Sequence, residues 1–348
     1  MKENKKKNII LSSYTRGLYN AGPKAKMDIE KIVSKTLEFD VVSLDITNNI
    51  SNAFIRRIYL FVKRFILANK VHKNVDLAIV QSPYSNRKII LNKFKKKILI
   101  IHDIDGLRQQ IPKKLKKEIN FYKSCDYVIV HNQRMKDFLV ERGVIASKIY
   151  ILELFDYLCV DRNENYKDKE SENFKEPTIV YSGNLDKANF INQLDSKEMK
   201  FKINLYGTKT KDINNEKMLY KGVFNPEELP NKLEGNLGLV WDGNYDESDE
   251  YVTFKFYTKY NNPHKLSCYI AAGLPVIVWN KSAIADFVRK YNIGYEISNL
   301  YEINNLDFSD YEKKKENVKD LTKKVRNGYF TRKIMKEVLN NSEYVKIK

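Results

Sequence analysis

The stretch NNPHKLSCYIAAGLPVIVW at residues 261–279 says most about the fold of this chain. It predicts a polar loop, a short helix and a buried strand that follow one another directly. Pro263 suits the first helical turn, where its missing N–H is no loss, and Gly273 with Pro275 ends the helix. The apolar run 276–279 indicates a strand buried on both faces, as in a parallel sheet.

The start of the predicted helix has the chemistry of a phosphate-binding site. Its free N–H groups can face a diphosphate, and His264 and Lys265 add donors and charge. An ordinary helix-to-strand connection is the alternative, and the stretch alone does not separate the two.

Strands and helices alternate along most of the chain. The spacing of apolar residues at 25–37 predicts a helix packed on a sheet. The predicted strands are 8–13, 41–44, 77–81, 98–102, 127–131, 149–152, 178–181, 201–206, 237–241, 276–279 and 294–297. This alternation predicts an α/β protein with two Rossmann-like domains that face each other across a cleft.

Domain boundaries follow from length and composition. The 348 residues suit two domains of about 150 to 180 residues each. Residues 161–176 are rich in Asn, Lys, Glu and Asp, which is typical of a solvated linker. We therefore expect a first domain at 1–160, a second at 177–309 and a charged helical segment at 310–348.

Charge narrows the class of partner. The chain has 62 Lys and Arg against 44 Asp and Glu, a net charge of +18, which favours nucleic acid, an anionic bilayer or a phosphorylated substrate. Its three cysteines form no CxxC pair, which suits a reducing cytoplasm. The charged start at 1–7 lacks a signal-peptide pattern, and no apolar window of about 18 residues predicts a membrane span.

The stretch 261–279 resembles the donor-site helix and following strand of GT-B glycosyltransferases. It is most similar to bacterial galactofuranosyltransferase-like enzymes and to related glucosyltransferases of polysaccharide and glycoprotein assembly. In those families the helix lies against the diphosphate of a nucleotide sugar. The resemblance therefore implies donor contacts at Asn262, His264 and Lys265, and a C-terminal helical segment that returns to the first domain.

Two loops of the predicted first domain hold further candidates. Residues 12–24 form a loop with two glycines, which is a weak signal that fits a plain turn equally well. The segment NAGPKAKMDIE at 20–30 resembles a loop that faces the acceptor in galactofuranosyltransferase-like proteins. This resemblance implies acceptor-side roles for Gly17, Asn20 and Gly22.

A general base is expected after the strand at 98–102. His102, Asp103 and Asp105 place an imidazole and two carboxylates there, where one group could take the proton of an acceptor hydroxyl. A core histidine and a helix-capping aspartate are the alternative. The related glucosyltransferases also have IHD at this point, which favours a catalytic site and leaves all three residues as candidates for the base.

In the predicted second domain, Gly183 and Asn184 follow a strand directly, so that backbone N–H groups could approach a phosphate. A turn without a ligand is the alternative. The GN loop is similar to that of the same families, and Tyr206, which closes the next strand, is a further donor-side candidate. The segment 220–230 resembles the one beside the nucleotide base in GT-B enzymes, which implies base contacts at Gly222 and Val223.

Two features bear on mechanism. Many retaining GT-B enzymes carry a pair of glutamates at positions that here hold Tyr260 and Cys268, and their absence favours inversion. The acidic residues at 242–250 lack the spacing of a calcium loop, which favours a solvated loop over a metal site. By resemblance, we expect no metal and no cofactor beyond a UDP-sugar co-substrate.

The segment 53–69 predicts a basic, largely apolar helix. Arg56, Arg57, Lys63 and Arg64 repeat along it, and apolar residues fill the remaining arc. Such a helix can lie in the headgroup region of an anionic leaflet, supported by lysines at 93–97 and 113–117. A buried helix whose charges reach solvent is the alternative.

Two functional hypotheses follow. The first is a cytoplasmic, membrane-peripheral GT-B glycosyltransferase that moves a hexosyl group from a UDP donor to a growing glycan, which could be lipid-linked. Galactofuranose is the favoured sugar and glucose the second. The other is a non-catalytic nucleic-acid-binding protein, suggested by the charge and the 23 tyrosines but by no recognition motif.

Overall fold

The structure, a computed structural model, describes residues 7–12, 21–43, 50–71, 75–82, 94, 96–160, 176–251 and 253–341. The chain forms two compact units. The first unit takes its residues from 1–17, 26–152 and 331–348, and the second from 18–25 and 153–330.

The first unit is built on a parallel six-stranded sheet. Its strands are β1 (Lys7–Ser12), β2 (Asp40–Ser43), β3 (Val75–Gln81), β4 (Lys96–Ile100), β5 (Tyr127–Val130) and β6 (Ile149–Ile151). They lie in the order β2-β1-β3-β4-β5-β6. The central strands are apolar and buried because helices cover both faces of such a sheet.

The helices of the first unit begin and end at local signals. They are α1 (Ala21–Leu37), which belongs to this unit from Lys26 onward, α2 (Ala53–Val71), α3 (Asp105–Arg108), α4 (Pro112–Lys123) and α5 (Gln133–Glu141). The Asn52 side chain accepts the N–H groups of Phe54 and Ile55 and so caps α2. Asn132 caps α5 in the same way, because its side chain accepts the N–H of Met135 at 2.9 Å.

A second parallel six-stranded sheet forms the other unit. Its strands are β7 (Thr178–Ser182), β8 (Lys202–Tyr206), β9 (Met218–Gly222), β10 (Leu237–Val240), β11 (Val276–Trp279) and β12 (Gly294–Ile297). Their order is β12-β11-β10-β7-β8-β9. One face of this sheet packs on a core that includes Phe190, Phe201 and Trp241.

The helices after β9 include the one predicted within residues 261–279. They are α6 (Leu229–Lys232), α7 (Thr253–Tyr257), α8 (His264–Ala272), α9 (Ala283–Tyr291), α10 (Tyr311–Arg326) and α11 (Tyr329–Asn341). Helix α8 ends at Gly273, which adopts φ +79°. Pro263 is the N-cap residue, with an extended ψ of 136°, so the helix begins one residue later than Pro263 at the first turn would imply.

In each sheet the chain adds strands first on one side of the starting strand and then on the other. From β1 the chain adds β2 on one side and then β3 on the other. From β7 it adds β8 and β9 on one side and then β10 on the other. Ligands bind outside the carboxyl ends of the strands at such switch points. The carboxyl ends of β1 and β3, and of β7 and β10, are therefore where a site is expected.

Most predicted elements are confirmed, with two differences. Helix α1 begins at Ala21, so that 21–24 are helical although a loop was predicted. Strand β9 was not predicted, because this edge strand is partly exposed and the apolar run in its sequence, MLYKG, is only three residues long. The predicted linker lies outside the described residues except for Glu176.

The C-terminal helices divide between the units. Helix α10 packs on α8 within the second unit, where the Thr322 hydroxyl donates to the Ile270 carbonyl at 2.6 Å. Residues from Thr331 onward are part of the first unit. The assignment of acceptor and donor roles to the domains stays a prediction. Within the part of the chain that the structure describes, every helix is too short or too polar to cross a bilayer.

Candidate active site

Three glycines line the carboxyl ends of neighbouring strands in the second unit. The N–H of Gly183 donates to the Tyr206 carbonyl at 2.9 Å, and the N–H of Gly207 donates to the Gly222 carbonyl at 2.9 Å. A Cβ on Gly207, which has φ +130°, would lie 1.8 Å from the Gly183 carbonyl oxygen. Side chains are therefore excluded from the middle of this edge, and backbone groups line it.

Lys265 lies at the switch point beside these glycines. Its ammonium donates to Oδ1 of Asp242 at 2.7 Å, to the Trp241 carbonyl at 3.0 Å and to the Tyr181 hydroxyl at 2.9 Å. The lysine stem passes Gly183, where a Cβ would lie 3.2 Å from Cε. Helix α8 thus places one positive charge between the carboxyl ends of β7 and β10.

The electrostatics keep this lysine charged. Burial by itself lowers the pKa of an ammonium, but the Asp242 carboxylate and the neighbouring tyrosine hydroxyls outweigh it and raise the pKa of Lys265 well above its usual value. Burial raises the pKa of Tyr181 despite the nearby ammonium. The site therefore holds a permanent cation with a neutral phenol beside it.

The first turn of α8 carries less charge than the sequence predicts. His264 stacks on Tyr157 with ring centroids 4.8 Å apart, and its Nε2–H donates to the Asp156 carbonyl at 3.3 Å. Burial lowers the pKa of His264 to about 4, so the ring is neutral at pH 7. A donor contact through His264 stays a prediction, and a neutral ring would make that contact without adding charge.

Asn262 is also held by the protein. Its side chain is 5% exposed and its Nδ2 donates to the Glu153 carbonyl at 2.6 Å. This contact anchors the loop before α8. A donor contact through this side chain stays a prediction that the observed geometry does not favour.

The other predicted donor residues divide into open and buried positions. Gly222, at φ +101°, has no atom within 4 Å of the place a Cβ would occupy, and Val223 is exposed. The Tyr206 side chain is buried and its hydroxyl accepts the N–H of Glu234 at 2.9 Å. Its predicted donor contact stays a prediction. Asn184 caps the short helix Leu185–Lys187 by accepting the N–H of Asp186.

The acidic loop after β10 is partly exposed, and its carboxylates form ion pairs with lysines. Glu247 accepts from Lys281 at 2.7 Å and from the Trp279 indole at 2.9 Å. Glu250 pairs with Lys259 and Lys281 at 2.8 Å each. Among the described residues there is no cluster of three or more His, Cys, Asp or Glu with the arrangement of a metal site.

In the first unit, polar residues meet at the ends of β3 and β4. The His102 Nε2 lies 2.8 Å from Oε1 of Gln81, whose own amide donates to Glu30 Oε1 and to the Lys26 carbonyl at 3.3 Å each. A carbonyl oxygen only accepts, so the Nε2 carries the proton and the Nδ1 carries the lone pair. Gln81 thus orients His102 in the tautomer that a base acting through Nδ1 needs.

The two predicted carboxylates beside His102 are ion-paired. Asp105, 13% exposed, accepts from Arg108 at 2.6 Å and from Lys114 at 3.0 Å. Asp103 accepts from the same Arg108 at 3.2 Å. Both carboxylates therefore already have cationic partners. Of the three candidates, His102 has the surroundings that suit proton transfer best.

Two of the three predicted acceptor-side residues lie outside the part of the chain that the structure describes. Gly17 and Asn20 lie outside the described residues. Gly22 lies in the first turn of α1. Their acceptor roles stay predictions.

Comparison with known proteins decides the family. The glucosyltransferase 3-like C-terminal domain matches residues 179–338, and the glucosyltransferase 3-like N-terminal domain matches residues 7–154. The chain is 30% identical over 338 residues to the β-1,6-galactofuranosyltransferase WbbI of Escherichia coli K12, covering 92% of this chain and 95% of that protein. This chain belongs to the glucosyltransferase 3-like family. It is a glycosyltransferase, and the family predicted from the sequence is confirmed.

A second relative supports this glucosyltransferase 3-like assignment, and a solved structure shows a similar fold. Glucosyltransferase 3 of Streptococcus gordonii is 27% identical over 275 residues, covering 75% of this chain and 78% of that protein. The fold is similar to that of HepE from Anabaena, solved with UDP and glucose, with a TM-score of 0.60 at 12% identity and coverage of 97% and 99%. The prediction of a GT-B fold is confirmed.

Several site residues escaped the sequence analysis. Asp242 was read only as part of an acidic loop, and Tyr181, Gln81 and Gly207 were not singled out as site residues. Each ends or follows a strand, so the rule that sites lie beyond carboxyl ends could have found them. The pairing of Asp242 and Tyr181 with Lys265, and of Gln81 with His102, carries no local signal in the sequence.

Proposed function

We propose that this glycosyltransferase moves a hexosyl group from a UDP-linked donor to a hydroxyl of a glycan. The observation that carries the proposal is the Lys265 ammonium, held by Asp242 at the switch point beside the glycine-lined edge. A nucleoside diphosphate needs a cation at close quarters and an approach that no side chain blocks. The open positions at Gly222 and Val223 leave room for a base at the end of β9.

Galactofuranose is the proposed sugar. The galactofuranosyltransferase relative matches nearly the whole chain at 30% identity, and the glucosyltransferase relative matches 75% of it at 27%. Transfer of glucose from UDP-glucose is the second candidate, supported by the latter relative. Family membership as a glycosyltransferase leaves no support for the nucleic-acid-binding alternative.

We further propose inversion with His102 as the base. The acceptor hydroxyl gives its proton to Nδ1 of His102 as its oxygen bonds to the anomeric carbon. The bond from that carbon to the diphosphate oxygen breaks, and UDP leaves with the electron pair. The Lys265 cation and helix α8 stabilise the charge on the leaving group, in place of a metal ion.

The acceptor and its location complete the proposal. A glycan under assembly on a lipid carrier at the cytoplasmic face of the membrane would suit a basic enzyme, because such carriers present phosphates.

Ligand-induced thermal shift tests the donor. UDP, UDP-galactofuranose, UDP-galactopyranose and UDP-glucose are compared with GDP and a short RNA, since a ligand stabilises the state it binds. We expect stabilisation by UDP species alone, and turnover with UDP-galactofuranose above UDP-glucose. A shift only with RNA, or with no nucleotide, would refute the donor assignment. Turnover with UDP-glucose alone would replace the proposed sugar with the second candidate.

The base is tested by separate variants. His102→Gln should lower kcat by about 10²- to 10⁴-fold with little change in the KM for the donor. Asp105→Asn serves as the control at an ion-paired carboxylate and should retain far more activity. If Asp103→Asn abolishes turnover and His102→Gln does not, the base is Asp103.

A further inference from the structure

Helix α2 of the first unit exposes a continuous apolar face. Its exposed apolar residues are Phe54, Ile55, Ile58, Phe61, Val62 and Ile66, with exposed fractions between 41% and 72%. On a helix of 3.6 residues per turn these positions fall within an arc of about 140°. The sequence alternative of a buried helix is therefore wrong for this face.

Basic residues border the arc on both sides. Arg57 follows one edge of the arc, and Lys63 and Arg56 follow the other, all three being exposed. Lys63 lies over the ring of Tyr59, with Nζ 5.7 Å from the centroid. The sequence of α2 contains no acidic residue. An apolar arc between two basic borders, with a tyrosine at one border, matches the boundary between acyl chains and anionic headgroups.

We propose that α2 is a membrane-docking surface that lies in the plane of an anionic bilayer, with its apolar arc among the acyl chains. The chain's net charge of +18 favours the same partner. A second copy of the chain is a poorer occupant, because a symmetric contact through this arc would bring the basic borders against themselves. The proposal does not depend on the sugar or on the transferase assignment.

Vesicle co-sedimentation tests the surface. The full chain is mixed with vesicles of phosphatidylcholine alone and with vesicles that also contain phosphatidylglycerol. We expect binding to the anionic vesicles and much weaker binding to the neutral ones. Failure of the unchanged chain to bind anionic vesicles would overturn the proposal.

Matched variants locate the contact. The double variant Phe54→Glu and Ile58→Glu places two charges in the arc and should weaken vesicle binding about tenfold or more. The control pair is Ile145→Glu and Leu219→Glu, which places the same charges at residues that are 60% and 56% exposed outside α2. The control should bind nearly as well as the unchanged chain, and an equal loss in both would refute a role for α2.

A second double variant tests the basic residues, and a mass measurement tests self-association. Arg56→Ala with Lys63→Ala should lower binding to anionic vesicles about fivefold per charge and leave neutral vesicles unaffected.

Analytical ultracentrifugation of the arc variant should show the same mass as the unchanged chain. An oligomer that the arc variant dissociates would assign the face to a second copy instead. A retained UDP thermal shift in the arc variant would show that the fold and the donor site are intact.

Discussion

At the scale of single residues, the Lys265 ammonium has protein partners at the place where the sequence predicts a diphosphate contact. The sequence suggested a lysine whose ammonium points at a diphosphate. The structure satisfies all three of its N–H donors with Asp242, Trp241 and Tyr181. A phosphate oxygen would then replace one of these acceptors, and Asp242 keeps the cation in place until it does.

Lys265→Met separates a phosphate contact from a purely structural role. If Lys265 binds the diphosphate, the variant should weaken UDP binding about tenfold or more and change uridine binding little, since uridine lacks the phosphates. Calorimetric titration of both ligands measures the ratio. An equal loss for uridine and UDP would mean that the lysine only supports the fold.

Asp242→Asn is the matched partner variant. It keeps the size of the side chain and removes the charge that offsets Lys265. We expect UDP binding to persist, because the ammonium retains the Trp241 and Tyr181 oxygens and can turn to a phosphate. Complete loss of UDP binding would show that Asp242 itself contacts the donor.

At the scale of elements, the carboxyl edge of β7, β8 and β9 depends on close backbone approach. Gly207 follows β8, and its carbonyl accepts the Tyr220 hydroxyl at 3.1 Å. This network brings the ends of three strands together without side chains between them.

Gly207→Ala should disturb this edge. The added Cβ would meet the Gly183 carbonyl oxygen at 1.8 Å, and the backbone would have to move. We expect the free energy of unfolding of the second unit to fall by about 1 to 3 kcal/mol, with weaker UDP binding. Gly222→Ala is the control, because no atom lies within 4 Å of its Cβ position, although its positive φ adds some strain. Equal melting temperatures for Gly207→Ala and the unchanged chain would contradict the packing argument.

At the scale of the whole molecule, buried histidines in both units make the free energy of unfolding depend on pH. Burial lowers the pKa of His131 in the first unit and of His264 in the second to about 4. An unfolded histidine has a pKa near 6.5. Between these values the unfolded chain binds more protons than the folded one, so stability falls as the pH is lowered from about 6.5 to about 4.

Calorimetric melting across that window measures the effect. Each histidine should cost about 3 kcal/mol at most by pH 4. His131→Gln should flatten the pH dependence of the transition that belongs to the first unit, and His264→Gln that of the second. Identical pH slopes in the variants and the unchanged chain would show that other groups cause the acid sensitivity.

The sequence by itself determined the local elements and the family. Residues 261–279 encode a helix and a buried strand because a run of apolar residues, a glycine and two prolines leave few other conformations. Alternating elements then require parallel sheets, and the family's motifs point to the transferase. Edge strand β9 escaped because partial exposure removes the apolar pattern on which such a prediction depends.

Only the tertiary structure decided which polar groups meet. Asp242 and Tyr181 reach Lys265 because strand order brings β7 and β10 side by side, and Gln81 reaches His102 because β3 neighbours β4. It also decided that His264 is neutral and that the arc of α2 is exposed. Apolar spacing in a sequence reports whether a residue is buried, whereas its hydrogen-bond partners depend on the neighbouring strands, which local sequence does not encode.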